Sequence, residues 1–171
     1  MTDWSAGIRD VPDFPSAGIM FRDLTPLWAS PDLFARAVAA MAAPFGDAGV
    51  DRVVGIEARG FVFGPPIAMA LSAGFVPARK PGKLPRERRR IEYLLEYGSD
   101  ALEVHVDGIR PGQKCLIVDD VLATGGTALA ARDLVRSCGG VVTGCSFFLE
   151  ILGLEGRRRL EGERIAAVVG T

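Results

Sequence analysis

Apolar positions fall along the chain in short unbroken runs separated by turn-forming clusters. The run Arg52-Val53-Val54-Gly55-Ile56 after Asp51, residues 75–78, the run Lys114-Cys115-Leu116-Ile117-Val118, residues 141–150 and residues 165–169 read as buried strands, being short and mostly rich in β-branched side chains. Helical spacing separates them. Ser30-Pro31-Asp32 offers an N-cap, a first-turn proline and a first-turn acid, and Leu33, Phe34, Ala37, Val38 and Met41 then recur on one side of an alanine-rich run. This predicts a helix ending near Pro44 or Gly46. Further helices are expected from Pro65 and over 127–138, the latter stopping at Gly139-Gly140, with a short exposed helix over 156–162. Residues 91–97 and 101–106, separated by Gly98-Ser99-Asp100, read as a hairpin. Residues 1–29 carry Pro12, Pro15, Gly18 and Pro26 and are expected to form an irregular arm able to face a ligand.

Strands alternating with helices at short spacing predict an α/β domain with an open, doubly wound, mostly parallel sheet and flanking helices. Ligands bind such sheets at the carboxyl ends of the strands, so the places to look follow Ile56, Ala78, Val118 and Leu149. No internal repeat or low-complexity linker is visible.

The 171 residues suit a single domain, and 49% hydrophobic with 24% charged residues indicates a folded one. A net charge of −1 removes any bulk electrostatic case for a nucleic-acid or membrane-surface partner. Three cysteines without C-x-x-C spacing read as buried thiols in a reducing compartment, and the N-terminus shows no signal-peptide pattern, so a cytoplasmic location is expected. The uncharged stretch between Arg59 and Arg79 approaches the ~20 residues of a membrane span, but Gly64-Pro65-Pro66 and Gly74 with Pro77 interrupt it. Charge gathers locally instead: Arg79, Lys80, Lys83, Arg86, Arg88, Arg89 and Arg90 crowd residues 79–90, with no aromatic before Tyr93 of the kind a nucleic-acid groove would use.

The most informative stretch is Asp119-Asp120-Val121-Leu122-Ala123-Thr124-Gly125-Gly126-Thr127, between a strand and a helix. A glycine-rich loop opening a helix presents unpaired backbone N–H groups to an anion, and the Thr124 and Thr127 hydroxyls add donors. The loop has no lysine and no G-x-x-x-x-G-K, so it suits a phosphate monoester and not a nucleoside triphosphate P-loop. Asp119 and Asp120 directly precede it. Paired carboxylates accept hydrogen bonds from a sugar diol and stabilise positive charge developing on the ring.

The run from Val118 to Thr127 resembles the phosphoribosyl-pyrophosphate motif of the type I phosphoribosyltransferases. Asp13-Phe14-Pro15 with Gly18 and Phe21-Arg22-Asp23, Glu57-Ala58-Arg59-Gly60-Phe61, Arg79-Lys80-Pro81-Gly82-Lys83-Leu84-Pro85 and Leu95-Glu96-Tyr97-Gly98 resemble, in order, segments of the members that act on adenine. The resemblance implies one phosphoribosyltransferase domain over 1–171, with a base-binding arm over 1–29 and a mobile hood over about 80–105. It implies transfer of phosphoribose from 5-phosphoribosyl-1-pyrophosphate to adenine, giving AMP and pyrophosphate in purine salvage. Magnesium (Mg2+) is then carried mainly on the pyrophosphate substrate, with no dedicated protein metal site, and the chain is expected to be a homodimer.

By the same resemblance Asp119 and Asp120 hold the ribose, Ala123, Thr124, Gly125, Gly126 and Thr127 hold the 5′-phosphate, and Ala58, Arg59, Arg79, Lys80 and Lys83 surround pyrophosphate, some reaching across the dimer interface. A non-proline cis peptide is expected at Ala58-Arg59. Glu96 handles the purine's proton and Tyr97 belongs to the hood, while Glu92 and Glu103 are expected to be ordinary solvent-facing acids. Met20, Phe21, Arg22 and Ile151 are assigned to adenine, with Met20 and Ile151 on its faces and the backbone around Arg22 on its Watson–Crick edge. Gly153 and Leu154 stand where many relatives are more polar, and His105 is expected to be structural. Two alternatives stay open: another purine (hypoxanthine, guanine or xanthine), or a non-enzymatic sensor of phosphoribosyl pyrophosphate, against which the short segment before the first helix leaves no room for a winged-helix module.

Overall fold

The computed structural model describes residues 3–94 and 99–171. Along the chain lie β1 (Arg9–Val11), β2 (Phe21–Asp23), α1 (Thr25–Ala29), α2 (Pro31–Ala42), β3 (Arg52–Ile56), α3 (Gly60–Ala70), β4 (Gly74–Ala78), β5 (Arg88–Leu94), β6 (Ser99–His105), β7 (Lys114–Leu122), α4 (Gly126–Ser137), β8 (Val141–Glu150) and β9 (Ile165–Gly170). The central sheet has the order β4-β3-β7-β8-β9 and every neighbouring pair is parallel. This is the doubly wound sheet that the sequence predicts. After β3 the chain steps outward to β4, then returns to place β7 on the other side of β3. The order therefore reverses between β3 and β7, which makes their carboxyl ends the crevice where such sheets bind ligands.

Both faces of the sheet are covered, because successive strand residues point to opposite sides. Cys115 and Ile117 of β7 join Val54, Ile56, Leu134, Val135 and Phe147 in a layer under α4, which also takes in Leu102 and Val104 of β6. Leu116 and Val118 join Val53, Phe63, Ile67, Met41 and Phe148 under α2 and α3. Phe63 stacks on Phe148 with ring centroids 5.9 Å apart and touches Phe34 and Trp28. The three cysteines are free and buried, as the sequence suggests.

Local signals place several boundaries. The Ser30 hydroxyl accepts from the Leu33 amide at 3.4 Å and starts α2 where expected. Gly139, at φ +80°, ends α4, and the Gly140 amide returns to the Val135 carbonyl at 3.0 Å.

Four local readings are corrected. Helix α3 starts at Gly60, not Pro65, and carries both prolines inside it. Each removes one donor, but its φ is helical, and burial of Phe63, Ile67 and Ala68 outweighs the lost bonds. Gly64 permits the close approach: a Cβ there would meet the Phe75 ring at 2.4 Å. The arm is not wholly irregular, since β1 and β2 pair antiparallel and α1 follows them. Ser99 and Asp100, read as turn residues, lie in β6. The segment after Glu155 is a 3-10 turn, Gly156–Leu160, whose two end residues are buried.

Phe63→Ala should lower unfolding stability by about 3–5 kcal/mol, the cost of an unfilled aromatic site in a packed core. A urea midpoint shifted down at unchanged slope is the expected readout; a shift below about 1 kcal/mol would contradict the packing described.

Candidate active site

Strand β7 runs on past Val118 to Leu122, so Asp119 and Asp120 lie in the strand itself rather than in the loop after it. The register aligns Gly55 with Val118, which brings the residues after Ile56 alongside the acid pair. Beyond β7 the loop turns at Gly125, φ +81°, directly into α4. Gly125 is required twice, by that backbone conformation and because a Cβ would come 2.4 Å from the Gly156 carbonyl oxygen. The Gly156–Leu160 turn thus packs against the back of the loop.

A cavity of about 210 Å³ opens there, lined by Arg59, Asp119, Asp120 and Phe147 and by residues 121–128. It brings together Asp119 and Asp120, expected at the diol, all five residues expected at the 5′-phosphate, Ala123, Thr124, Gly125, Gly126 and Thr127, and one of those expected at pyrophosphate, Arg59. Phe147 was missed by sequence reasoning; it is a buried apolar residue in a run of them, and only the register places it against the cavity.

The carboxylates are strained electrostatically. Asp120 is 3% exposed, with Oδ2 2.8 Å from Arg59 Nε in a contact whose angles make no hydrogen bond, and that oxygen has no hydrogen-bond partner among the described residues. The Asp120 amide donates to Asp119 Oδ1 at 2.9 Å. Burial pushes both carboxyls up; the Asp120 charge adds to this at Asp119, while Arg59 opposes it at Asp120. Arg59 also lies over the Phe21 ring at 5.3 Å, which ties the arm to the cavity.

The other cations expected at pyrophosphate, Arg79, Lys80 and Lys83, are each paired with an acid. The Glu57 carboxylate accepts from Lys83 Nζ at 2.6 Å, from the Lys80 amide at 2.9 Å and from Arg79 Nε and Nη2 at 3.3 and 3.4 Å. Burial would raise that carboxyl, but these donors outweigh it and hold it at about 2. Lys80 pairs with Asp100 and with the Tyr93 hydroxyl of the hairpin β5-β6. Ala58 sits between Glu57 and Arg59, and the cis peptide is Glu57-Ala58, one bond earlier than Ala58-Arg59.

Glu103 is corrected from a solvent-facing acid to one 1% exposed, bound to Arg88 at 3.0 Å and to the Gly82 amide at 3.1 Å. Its strand is an edge of the hairpin but is covered by the 79–83 segment. Glu150, also buried, is held by Arg157 Nε and Nη2 at 2.7 Å each. This fork fastens the 3-10 turn beneath the phosphate loop, and with it Ile151, whose amide donates to the Leu122 carbonyl at 2.9 Å.

The adenine set is only partly assembled. Phe21 reaches the cavity through Arg59; Met20 is 47% exposed, Arg22 is paired with Asp10 across β1-β2, and none of Met20, Arg22 and Ile151 lines the cavity. Glu96 and Tyr97 lie outside the described residues.

A doubly wound sheet with a diacid and a Thr-Gly-Gly-Thr loop at its switch point defines a phosphoribosyltransferase, and the phosphoribosyl transferase domain family matches residues 32–158. The chain is 54% identical over 169 residues to an adenine phosphoribosyltransferase of Myxococcus xanthus, covering 99% of this chain and 92% of that protein. The crystal structure of adenine phosphoribosyltransferase from Rhodothermus marinus superposes with TM-score 0.92 at 49% identity, covering 96% of this chain and 94% of that one. The Saccharomyces cerevisiae enzyme, complexed with an imino-altritol bisphosphate and adenine, superposes at 0.90 with 40% identity over 95% and 94%. The chain belongs to the adenine phosphoribosyltransferase family.

The acid pair gives a signed prediction. A carboxyl whose folded pKa lies above its unfolded value, near 3.8, weakens the fold as pH rises through that window, and the penalty persists above it. Asp119→Asn combined with Asp120→Asn should therefore leave Tm at neutral pH equal to or above the parent's. Turnover should fall by roughly a hundredfold or more, as on losing a transition-state electrostatic partner. Unchanged kinetics in the folded double variant would sink the assignment.

Proposed function

We infer that this cavity is where the chain joins adenine to the phosphoribosyl group of 5-phosphoribosyl-1-pyrophosphate, giving AMP and pyrophosphate. The observation that carries the reading is the meeting, at one switch point, of a helix-opening phosphate loop, a diacid and a facing arginine. The bond from C1′ to the pyrophosphate oxygen breaks, the bond from C1′ to the purine nitrogen forms, and that nitrogen's proton leaves to a base, the role assigned to Glu96. Positive charge gathers on the ribose ring between these events. Asp119 and Asp120 face that charge and accept from the diol, while the loop of Ala123 to Thr127 anchors the 5′-phosphate through first-turn N–H groups. Arg59, Arg79, Lys80 and Lys83 take the departing pyrophosphate, with Ala58 in the same loop as Arg59.

Adenine lies between Met20 and Ile151 with Phe21 nearby, its edge read by the backbone around Arg22. A 6-oxo purine would set donor against donor there and lose about 1–3 kcal/mol for each buried group left unpaired.

Magnesium fits the donors present. Asp119 and Asp120 supply hard oxygens, and Asp120 Oδ2 has no hydrogen-bond partner among the described residues. That suits an ion shared with substrate oxygens through one or two carboxylates. When bound, magnesium neutralises part of the pyrophosphate charge.

The protein acts as a cytoplasmic homodimer in this reading. Among the described residues no helix is long and apolar enough to cross a membrane, and the free buried cysteines suit a reducing compartment. Met69, 82% exposed on α3, gives an apolar point for subunit contact.

Product assays across adenine, hypoxanthine, guanine and xanthine test the reading: AMP should form fastest, and slower AMP than IMP or GMP formation would overturn it. Ligand binding without pyrophosphate release would favour a sensor. Chelation by EDTA should stop turnover, with recovery on added magnesium, and light scattering should give twice the 18.2 kDa chain mass.

A further inference from the structure

We propose that Glu57 is a positioning residue for pyrophosphate, its buried carboxylate gathering Arg79, Lys83 and the Lys80 amide into one cationic cluster beside Arg59. The inference rests on reading residues 79–83 as the pyrophosphate side of the cavity. It adds a role for a side chain that does not itself touch the anion.

Three features of the geometry carry it. An ionised carboxylate has about four acceptor directions, and here each oxygen takes two donors: Lys83 Nζ and Arg79 Nη2 on Oε1, the Lys80 amide and Arg79 Nε on Oε2. The layering is ordered, since Glu57 is 9% exposed while Arg79 and Lys83 are 33% and 49% exposed. An anion arriving from solvent meets the cations, with the acid behind them. Finally, the cluster closes on itself: Arg79 Nη1 donates to the Lys83 carbonyl at 3.1 Å, and the Glu57 amide donates to the Ala78 carbonyl at 2.9 Å. Two cations held this near one another repel, and a single carboxylate beneath both offsets that repulsion and fixes where the donors point. These donors hold its carboxyl down to about 2 against burial, so it is ionised at neutral pH.

Glu57→Gln keeps the shape but replaces one acceptor oxygen with a donor aimed at a cation. Its KM for phosphoribosyl pyrophosphate should rise about tenfold, the scale of one charge-assisted hydrogen bond, with KM for adenine unchanged. In an Arg79→Met, Lys83→Met background the same substitution should add nothing further, because the acid acts through those cations. Glu57→Asp, which retains the charge with a shorter reach, is the second variant and should show the same selective loss in smaller measure whether or not Glu57→Gln folds. A fall or no change in KM for phosphoribosyl pyrophosphate, equal losses for both substrates, or full additivity in the double-cation background would each overturn the inference. Arg79→Met alone separates the two layers of argument. If it raises that KM while Glu57→Gln does not, positioning by Glu57 fails and the pyrophosphate reading stands. If it too has no effect, the pyrophosphate reading fails with it.

Discussion

Two carboxylates side by side in a cavity that must admit phosphates set the electrostatic problem around which this site is built. Asp119 and Asp120 repel each other and any polyanion, and Asp120 is almost fully removed from water. They can be kept there only if positive charge stands close by. Arg59 supplies it from the neighbouring strand end at 2.8 Å, and the α4 N-terminus supplies it from the other side through unpaired N–H groups. The cavity is thus bounded by the two sources of positive potential that a phosphoribosyl substrate needs at its two ends.

The parallel sheet makes this arrangement possible. Strands β3 and β7 are buried on both faces, so a slip of one residue in either would turn an apolar layer inside out. With Gly55 locked opposite Val118, the chain leaves β3 beside the acid pair, and the reach from Arg59 to Asp120 follows from core packing far from solvent. The same rigidity serves the phosphate loop, whose back is filled by Gly156 and whose supporting turn is fastened by the Glu150–Arg157 fork. Rigid elements thus hold Asp119, Asp120 and the Thr-Gly-Gly-Thr loop in place.

Features whose physical cause is local were legible in the sequence. The Ser30 cap, the Gly139 stop, the apolar strands and the diacid with its Thr-Gly-Gly-Thr loop each lie within a dozen residues, and each was placed to within a few positions. The pairings that join distant segments were not legible. Glu57 meets Arg79 and Lys83 across 22 and 26 residues, and each looks like an ordinary charged side chain until β3 and β4 are laid side by side. Glu103 shows the same blindness more sharply. It was expected to be an ordinary solvent-facing acid of an edge strand, whereas its backbone pairs with Arg79 in both directions and the 79–83 segment covers it. The prolines of α3 misled for the opposite reason: a strong local signal was overridden by burial on both sides of it.

The basic segment also reads differently once its partners are known. Seven cations among residues 79–90 suggest a strongly positive surface, yet Arg79, Lys80, Lys83, Arg86, Arg88 and Arg90 each have an acid of the same chain within ion-pair distance. An uncompensated cluster of that size would attract any phosphate and any nucleic acid. With internal partners in place, much of that charge is already offset, and an incoming anion meets donors held in fixed directions. Discrimination then falls to geometry: a ligand must offer oxygens to several fixed donors at once while its other end reaches the Thr-Gly-Gly-Thr loop. A substrate with a phosphate at each end of a ribose does this, and a lone phosphate does not.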